Sequence, residues 1–101
     1  MVKAYVLVDA APSREAEVLE ALTKEPAVIA GMLLKEKAGQ MDILLLVEGA
    51  DRQEVERLIA GPLRSVSWVQ SIQRVMPQHT ILGSVQRAME ELEQKVLAGR
   101  T

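Results

Sequence analysis

The segment that most limits what this chain can fold into is residues 2–8. Val2, Lys3, Ala4, Tyr5, Val6, Leu7 and Val8 form a short, β-branched and nearly continuously apolar run that stops at Asp9, Ala10, Ala11 and Pro12. Such a run reads as a strand buried on both faces, and a strand that buried is central in its sheet. The rest of the chain must supply its neighbours and its cover.

Those partners can be read in order. Ser13 can cap a helix that carries Val18, Leu19 and Leu22 on one face and Arg14, Glu17, Glu20 and Lys24 on the other, with Pro26 marking its end. Residues 28–37, interrupted by Gly31, and residues 41–48, with Ile43, Leu44, Leu45, Leu46 and Val47, read as two strands joined by a turn at Gly39. Asp51 followed by Glu54 is a capping arrangement for a second helix with Val55, Leu58, Ile59 and Leu63 on its buried face, and Gly61-Pro62 is expected to end it. Residues 65–76, with Val66, Trp68, Val69, Ile72 and Val75, complete the set as a last strand.

The order βαββαβ predicts an α+β, ferredoxin-like fold: a four-stranded antiparallel sheet with two helices on one face, because each crossover is right-handed. Within 101 residues this is one domain, expected over residues 1–76, with residues 77–101 as a C-terminal helical extension. The other sheet face is expected to be bare. Strands this apolar do not stand in water, so a second subunit is expected to cover it. In the extension, Leu82, Val85, Met89, Leu92 and Val96 make a narrow seam beside polar Arg87, Glu90, Glu91, Glu93 and Lys95. The helix is expected to dock on a neighbouring subunit, with its own domain as the alternative.

Composition excludes several chemistries. The absence of Cys removes disulfides, thiolate metal sites and Cys nucleophiles, and points to the cytoplasm. A net charge of −2, no basic stripe and only two aromatic residues, Tyr5 and Trp68, argue against direct nucleic-acid binding. No apolar run reaches the roughly 20 residues of a membrane span. His79 has no second His near it for a metal site or a catalytic triad, the carboxylates fall on polar helix faces, and no phosphate-binding glycine motif occurs. The residues therefore read as a binding or assembly module without metal or cofactor, not as an enzyme. One polar feature stands apart: Gly39-Gln40-Met41-Asp42 places an acid directly ahead of five apolar residues, as a turn-former or a ligand anchor.

With Lys3-Ala4-Tyr5-Val6-Leu7-Val8, Pro26-Ala27-Val28-Ile29-Ala30 and above all the residues from Gly39 to Asp42 followed by Ile43 to Val47, the chain resembles the ligand-binding (RAM) module of the Lrp/AsnC regulators, in a stand-alone form. The resemblance runs over residues 2–76. It implies a dimeric α/β barrel, a homodimer or larger homo-oligomer, that binds an amino-acid-like or carboxylate effector between subunits and partners a DNA-binding Lrp/AsnC relative. Gly39 matches the family's turn glycine and Asp42 the acid that receives an effector's ammonium group; Gln40 and Met41 stand between them, Met41 in place of the usual Tyr. Where the family has Gly-Val and then two threonines, this chain has Ser67-Trp68-Val69 and then Ile72 and Arg74. An apolar branch and a cation do not copy two hydroxyls, and Arg74 favours an anion. Two other readings are an enzyme of the dimeric α/β barrel type, monooxygenase-like or haem-handling, using His79 or Arg74, and a structural adaptor using the seam of the last helix.

Overall fold

The computed structural model describes residues 1–34, 43–75 and 83–99. Four strands, β1 (Val2–Ala10), β2 (Val28–Leu33), β3 (Ile43–Gly49) and β4 (Val69–Arg74), form one antiparallel sheet in the order β2-β3-β1-β4. Helices α1 (Glu15–Thr23), α2 (Arg52–Leu58) and α3 (Gly83–Gly99) complete the fold. This is the ferredoxin-like arrangement with an added C-terminal helix, and β1 is central.

The continuous apolar character of β1 and β3 follows from burial on both faces. Ala4, Val6, Val8 and Ala10 of β1, with Ile43, Leu45 and Val47 of β3, join one cluster with Val18 and Leu22 of α1 and Val55 and Leu58 of α2. The alternate residues Leu7, Leu44 and Leu46 join a second cluster with Ala88 and Leu92 of α3. Period-two alternation thus feeds two separate cores through one sheet. The face expected to be bare is covered from within the chain: the seam residues Met89, Leu92 and Val96 pack on its own sheet, joined by Ala88, which is the alternative docking the sequence offers. Arg87, Glu90, Glu91, Glu93 and Lys95 are exposed, as expected of the polar residues. Leu82, the side chain of Val85 and the expected boundary at residues 76–77 lie outside the described residues.

Several boundaries differ from the sequence expectation, each for a local reason. Helix α1 starts at Glu15 without a side-chain cap, because Ser13 has φ 72° and its backbone turns before the helix instead of entering it. The second helix does not stop at Gly61-Pro62 but continues as a π-helical turn, Ile59–Leu63. A wider turn relieves the clash of a proline ring with the carbonyl four residues earlier, and it carries Ile59 and Leu63 into the core. Asp51 does cap α2: its Oδ1 accepts from the Glu54 amide at 2.8 Å. The last strand begins at Val69, because residues 65–68 form turns, and β2 ends at Leu33.

Gly31, which interrupts the apolar pattern of β2, has a packing reason. It lies opposite Leu45, and a Cβ at this position would stand 2.8 Å from both Leu45 Cδ2 and Leu19 Cδ1. The missing side chain lets α1 settle on the sheet. Among the described residues no helix is long and apolar enough to cross a membrane.

Two substitutions grade these contributions. Leu45→Ala, at a fully buried site, is expected to destabilise the fold by about 2–5 kcal/mol, and Asp51→Ala by about 1 kcal/mol. Urea denaturation of each variant against the parent checks both values and their order.

Candidate ligand-binding and assembly site

At one end of the sheet, β1 finishes at Ala10, β4 begins at Val69, β2 ends at Leu33 and β3 begins at Ile43. The register sets Ile72, Val8, Ile43 and Leu33 in one row across the four strands. Just beyond this row the β1–α1 connection meets the approach to β4: the Ala11 amide donates to the Trp68 carbonyl at 2.9 Å, and the Arg14 amide donates to the Ala11 carbonyl at 3.0 Å.

The only two non-glycine residues with positive φ among those described are both here, Ser13 at 72° and Trp68 at 73°. A bulky residue in the left-handed region costs roughly 1–3 kcal/mol and persists only where its surroundings over-determine it. Trp68 stands where the resemblance expects a glycine, and its φ shows why a glycine suits that place. The indole is not buried in compensation: it is 51% exposed, with the Arg14 guanidinium 4.7 Å from the ring centroid. Arg14 is held in turn by Glu17 at 2.8 Å. The apolar pattern of the sequence places Trp68 in the last strand, whereas it stands in the turn before it; the Gly-to-Trp departure is the one sequence signal of this platform.

Of the expected site residues, Gly39, Gln40, Met41 and Asp42 lie outside the described residues, as does His79. The chain leaves β2 and enters β3 at this same end of the sheet. Ile72 and Arg74 share one face of β4, and it is the face that α1 and α2 cover. Ile72 is buried in the first core, and Arg74 Nη1 donates to Glu56 Oε1 of α2 at 3.3 Å. Alternation puts Ser71 and Gln73 on the opposite face. The Arg74 guanidinium therefore reaches an anion only by sharing or leaving Glu56.

The face under α3 carries a second polar feature. Tyr5, otherwise surrounded by aliphatic side chains, donates from its hydroxyl to Glu93 Oε1 at 2.7 Å, with the Met89 carbonyl at 3.5 Å. This pins α3 to β1. Beside it, Lys3, Leu46, Glu93, Val96 and Leu97 line a cleft of about 230 Å3. Another, of about 270 Å3, lies between Glu25, Glu48, Glu54, Arg57 and Pro62. Both fall below the roughly 300–1,000 Å3 usual for ligand pockets. Among those residues no group of three His, Asp or Glu could hold a metal ion.

No family model matches the chain, and no curated protein matches it. Solved structures do. FFRP-DM1 is 25% identical with a TM-score of 0.64, the match covering 74% of this chain and 96% of that one. AsnC from E. coli is 11% identical with a TM-score of 0.61, over 72% of this chain and 48% of its own. The transcriptional regulator NMB0573 from Neisseria meningitidis, solved in complex with L-Met, is 21% identical with a TM-score of 0.57, over 75% of this chain and 50% of its own. The chain resembles an Lrp/AsnC-type ligand-binding domain in fold, and its structural neighbours include a transcriptional regulator.

The Tyr5 contact gives a pH signature. Burial first, then the hydrogen bond to Glu93 and its negative charge, push the phenol well above its usual range. The folded chain thus holds this proton more tightly than the unfolded chain. The contribution is complete below the unfolded value of about 10 and is lost as pH rises beyond it. Stability measured by urea denaturation across that range is expected to fall more steeply with pH for the parent than for Tyr5→Phe; parallel curves would contradict the contact.

Proposed function

We propose that the chain is a non-enzymatic regulatory module that binds a small effector, amino-acid-like or a carboxylate, and acts as a homodimer or larger oligomer, with DNA contact supplied by a related Lrp/AsnC regulator. The observation that carries this reading is the clustering of Ser13 and Trp68, both left-handed, at the sheet end where β2 finishes and β3 begins. Backbone strain of this kind collects at ligand clamps and switch segments.

In this reading Asp42 takes an effector's ammonium group, and Gly39, Gln40 and Met41 form the edge of the pocket. Arg74 at the margin of β4 offers a guanidinium to a carboxylate in exchange for Glu56, and Ile72 backs the site from the core. In this reading the pocket is completed by a second subunit. An effector held between subunits then shifts assembly to the extent that its affinities for the two states differ.

The enzyme reading rests on His79, which lies outside the described residues, and on Arg74, which is paired with Glu56. The adaptor reading loses its surface, because the seam of α3 faces its own sheet. That the neighbours include a transcriptional regulator favours the regulatory reading over both.

A thermal-shift screen against amino acids and metabolite acids tests it. A true effector at a hundred times its dissociation constant adds about 2.7 kcal/mol, several degrees for a domain of this size. Asp42→Ala is expected to abolish that shift while leaving the ligand-free melting point within about 1 °C. A screen without hits, or a shift that survives Asp42→Ala, counts against the assignment, and a Soret band in the absorbance spectrum favours the haem-handling reading.

A further inference from the structure

We propose that Trp68 and Arg14 form a separate ligand site, which takes an aromatic carboxylate on the indole and the guanidinium together. This goes beyond the effector reading above, since it uses neither residues 39–42 nor a second subunit.

The indole is displayed against the preference of its own backbone. Trp68 holds φ 73°, where a side chain of this size is strained, yet the residue is 51% exposed and belongs to neither core among the described residues. A tryptophan that serves packing is largely buried. The ring is not what holds the turn either. The Trp68 carbonyl accepts from the Ala11 amide at 2.9 Å, a bond that any residue at this position can make, and Val66 and Val69 anchor the chain on either side by packing on the first core.

One side of the ring is already furnished. Arg14, the residue before α1, sets its guanidinium 4.7 Å from the ring centroid, within the range of a cation–π contact. Its own placement is fixed twice: its backbone amide donates to the Ala11 carbonyl at 3.0 Å, and its Nη1 donates to Glu17 Oε1 at 2.8 Å. A guanidinium is a fork of several donors, and the Glu17 contact engages Nη1. Both side chains of that pair are open to water, where an ion pair is weak and readily shared. Glu17 thus orients Arg14 and leaves it able to bind a second anion.

These two groups select the ligand. A ring face that carries one cation repels a second, so an amine is a poor occupant. The open part of the indole takes another aromatic ring in an offset or edge-to-face contact, and a carboxylate on that ring matches the planar donors of Arg14. An aliphatic acid satisfies Arg14 alone, and a neutral arene satisfies Trp68 alone; an aromatic acid uses both. Glu15 and Glu17 in the first turn of α1 disfavour a polyanion and leave a single carboxylate as the better fit.

Trp68 is the chain's one tryptophan, so its fluorescence reports on the site directly. The full chain is titrated with 3-phenylpropionate, which is transparent where indole is excited at its long-wavelength edge. Hexanoate, which keeps the charge without the ring, and phenethylamine, which keeps the ring and reverses the charge, are titrated beside it. A saturable change is expected for 3-phenylpropionate alone, with a midpoint on the order of 1–10 mM for so small a ligand. Arg14→Gln is expected to raise that midpoint about fivefold. Trp68→Gly, which suits the left-handed backbone, is expected to keep the circular dichroism of the parent and to lose the saturation-transfer NMR signal of bound 3-phenylpropionate. Responses to hexanoate or phenethylamine that equal the one to 3-phenylpropionate overturn the proposal, as does binding that survives Trp68→Gly or is indifferent to Arg14→Gln. A Trp68→Gly chain that unfolds assigns the indole to the fold and overturns it as well. The effector screen reads Asp42, whereas these titrations read Trp68 and Arg14, so the failure of either leaves the other standing.

Discussion

The structure depends on the pairing of β1 with β3. Seven residues of β1, from Val2 to Val8, are in register with seven of β3, and both strands lie inside the sheet with side chains committed to two cores. Every other element is placed by that pair. The β2 edge continues β3, β4 lies along the other side of β1, and α1 and α2 fill one face while α3 fills the other. Because a one-residue slip would exchange the two faces of a strand, the alternation of large aliphatic side chains with smaller ones, Leu7 between Val6 and Val8 for instance, holds the register as firmly as the hydrogen bonds.

The order of elements and the central place of β1 were legible because they rest on local patterns: runs of β-branched and aliphatic residues, the Asp51 cap and the amphipathic spacing of Val18 and Leu22. What escaped was decided by partners far off in sequence. Nothing near Leu92 says that its neighbours are Leu44 and Leu46, so the choice between a neighbouring subunit and its own sheet could not be read from the seam. Pro62 would stop a helix in isolation, but the burial of Leu63 draws the chain through a wider turn. The assignment of Ile72 and Arg74 to a binding surface came from a family correspondence, and strand alternation sets both on the helix-covered side, where Arg74 meets Glu56.

Trp68 shows the same competition in energy. Its backbone adopts a conformation that disfavours a large side chain, and its ring stays mostly in solvent under Arg14. The tie of its carbonyl to Ala11 and the packing of Val66 and Val69 against the core hold the backbone on either side of it, so the strain is carried by neighbours whose own places are secure. A large aromatic surface is thereby displayed beside the connection that starts α1.

The sheet also separates the interior into two cores that share no side chain among the described residues. Among the described residues the layer of α1 and α2 and the layer of α3 pack on opposite faces of the same strands, so removing one does not empty the other. A protein built this way has two melting units of different strength within a single sheet: opening of the α3 layer exposes amides and apolar side chains on one side while the strands remain paired over the intact core behind them. Its least stable state short of unfolding is then still a folded sheet.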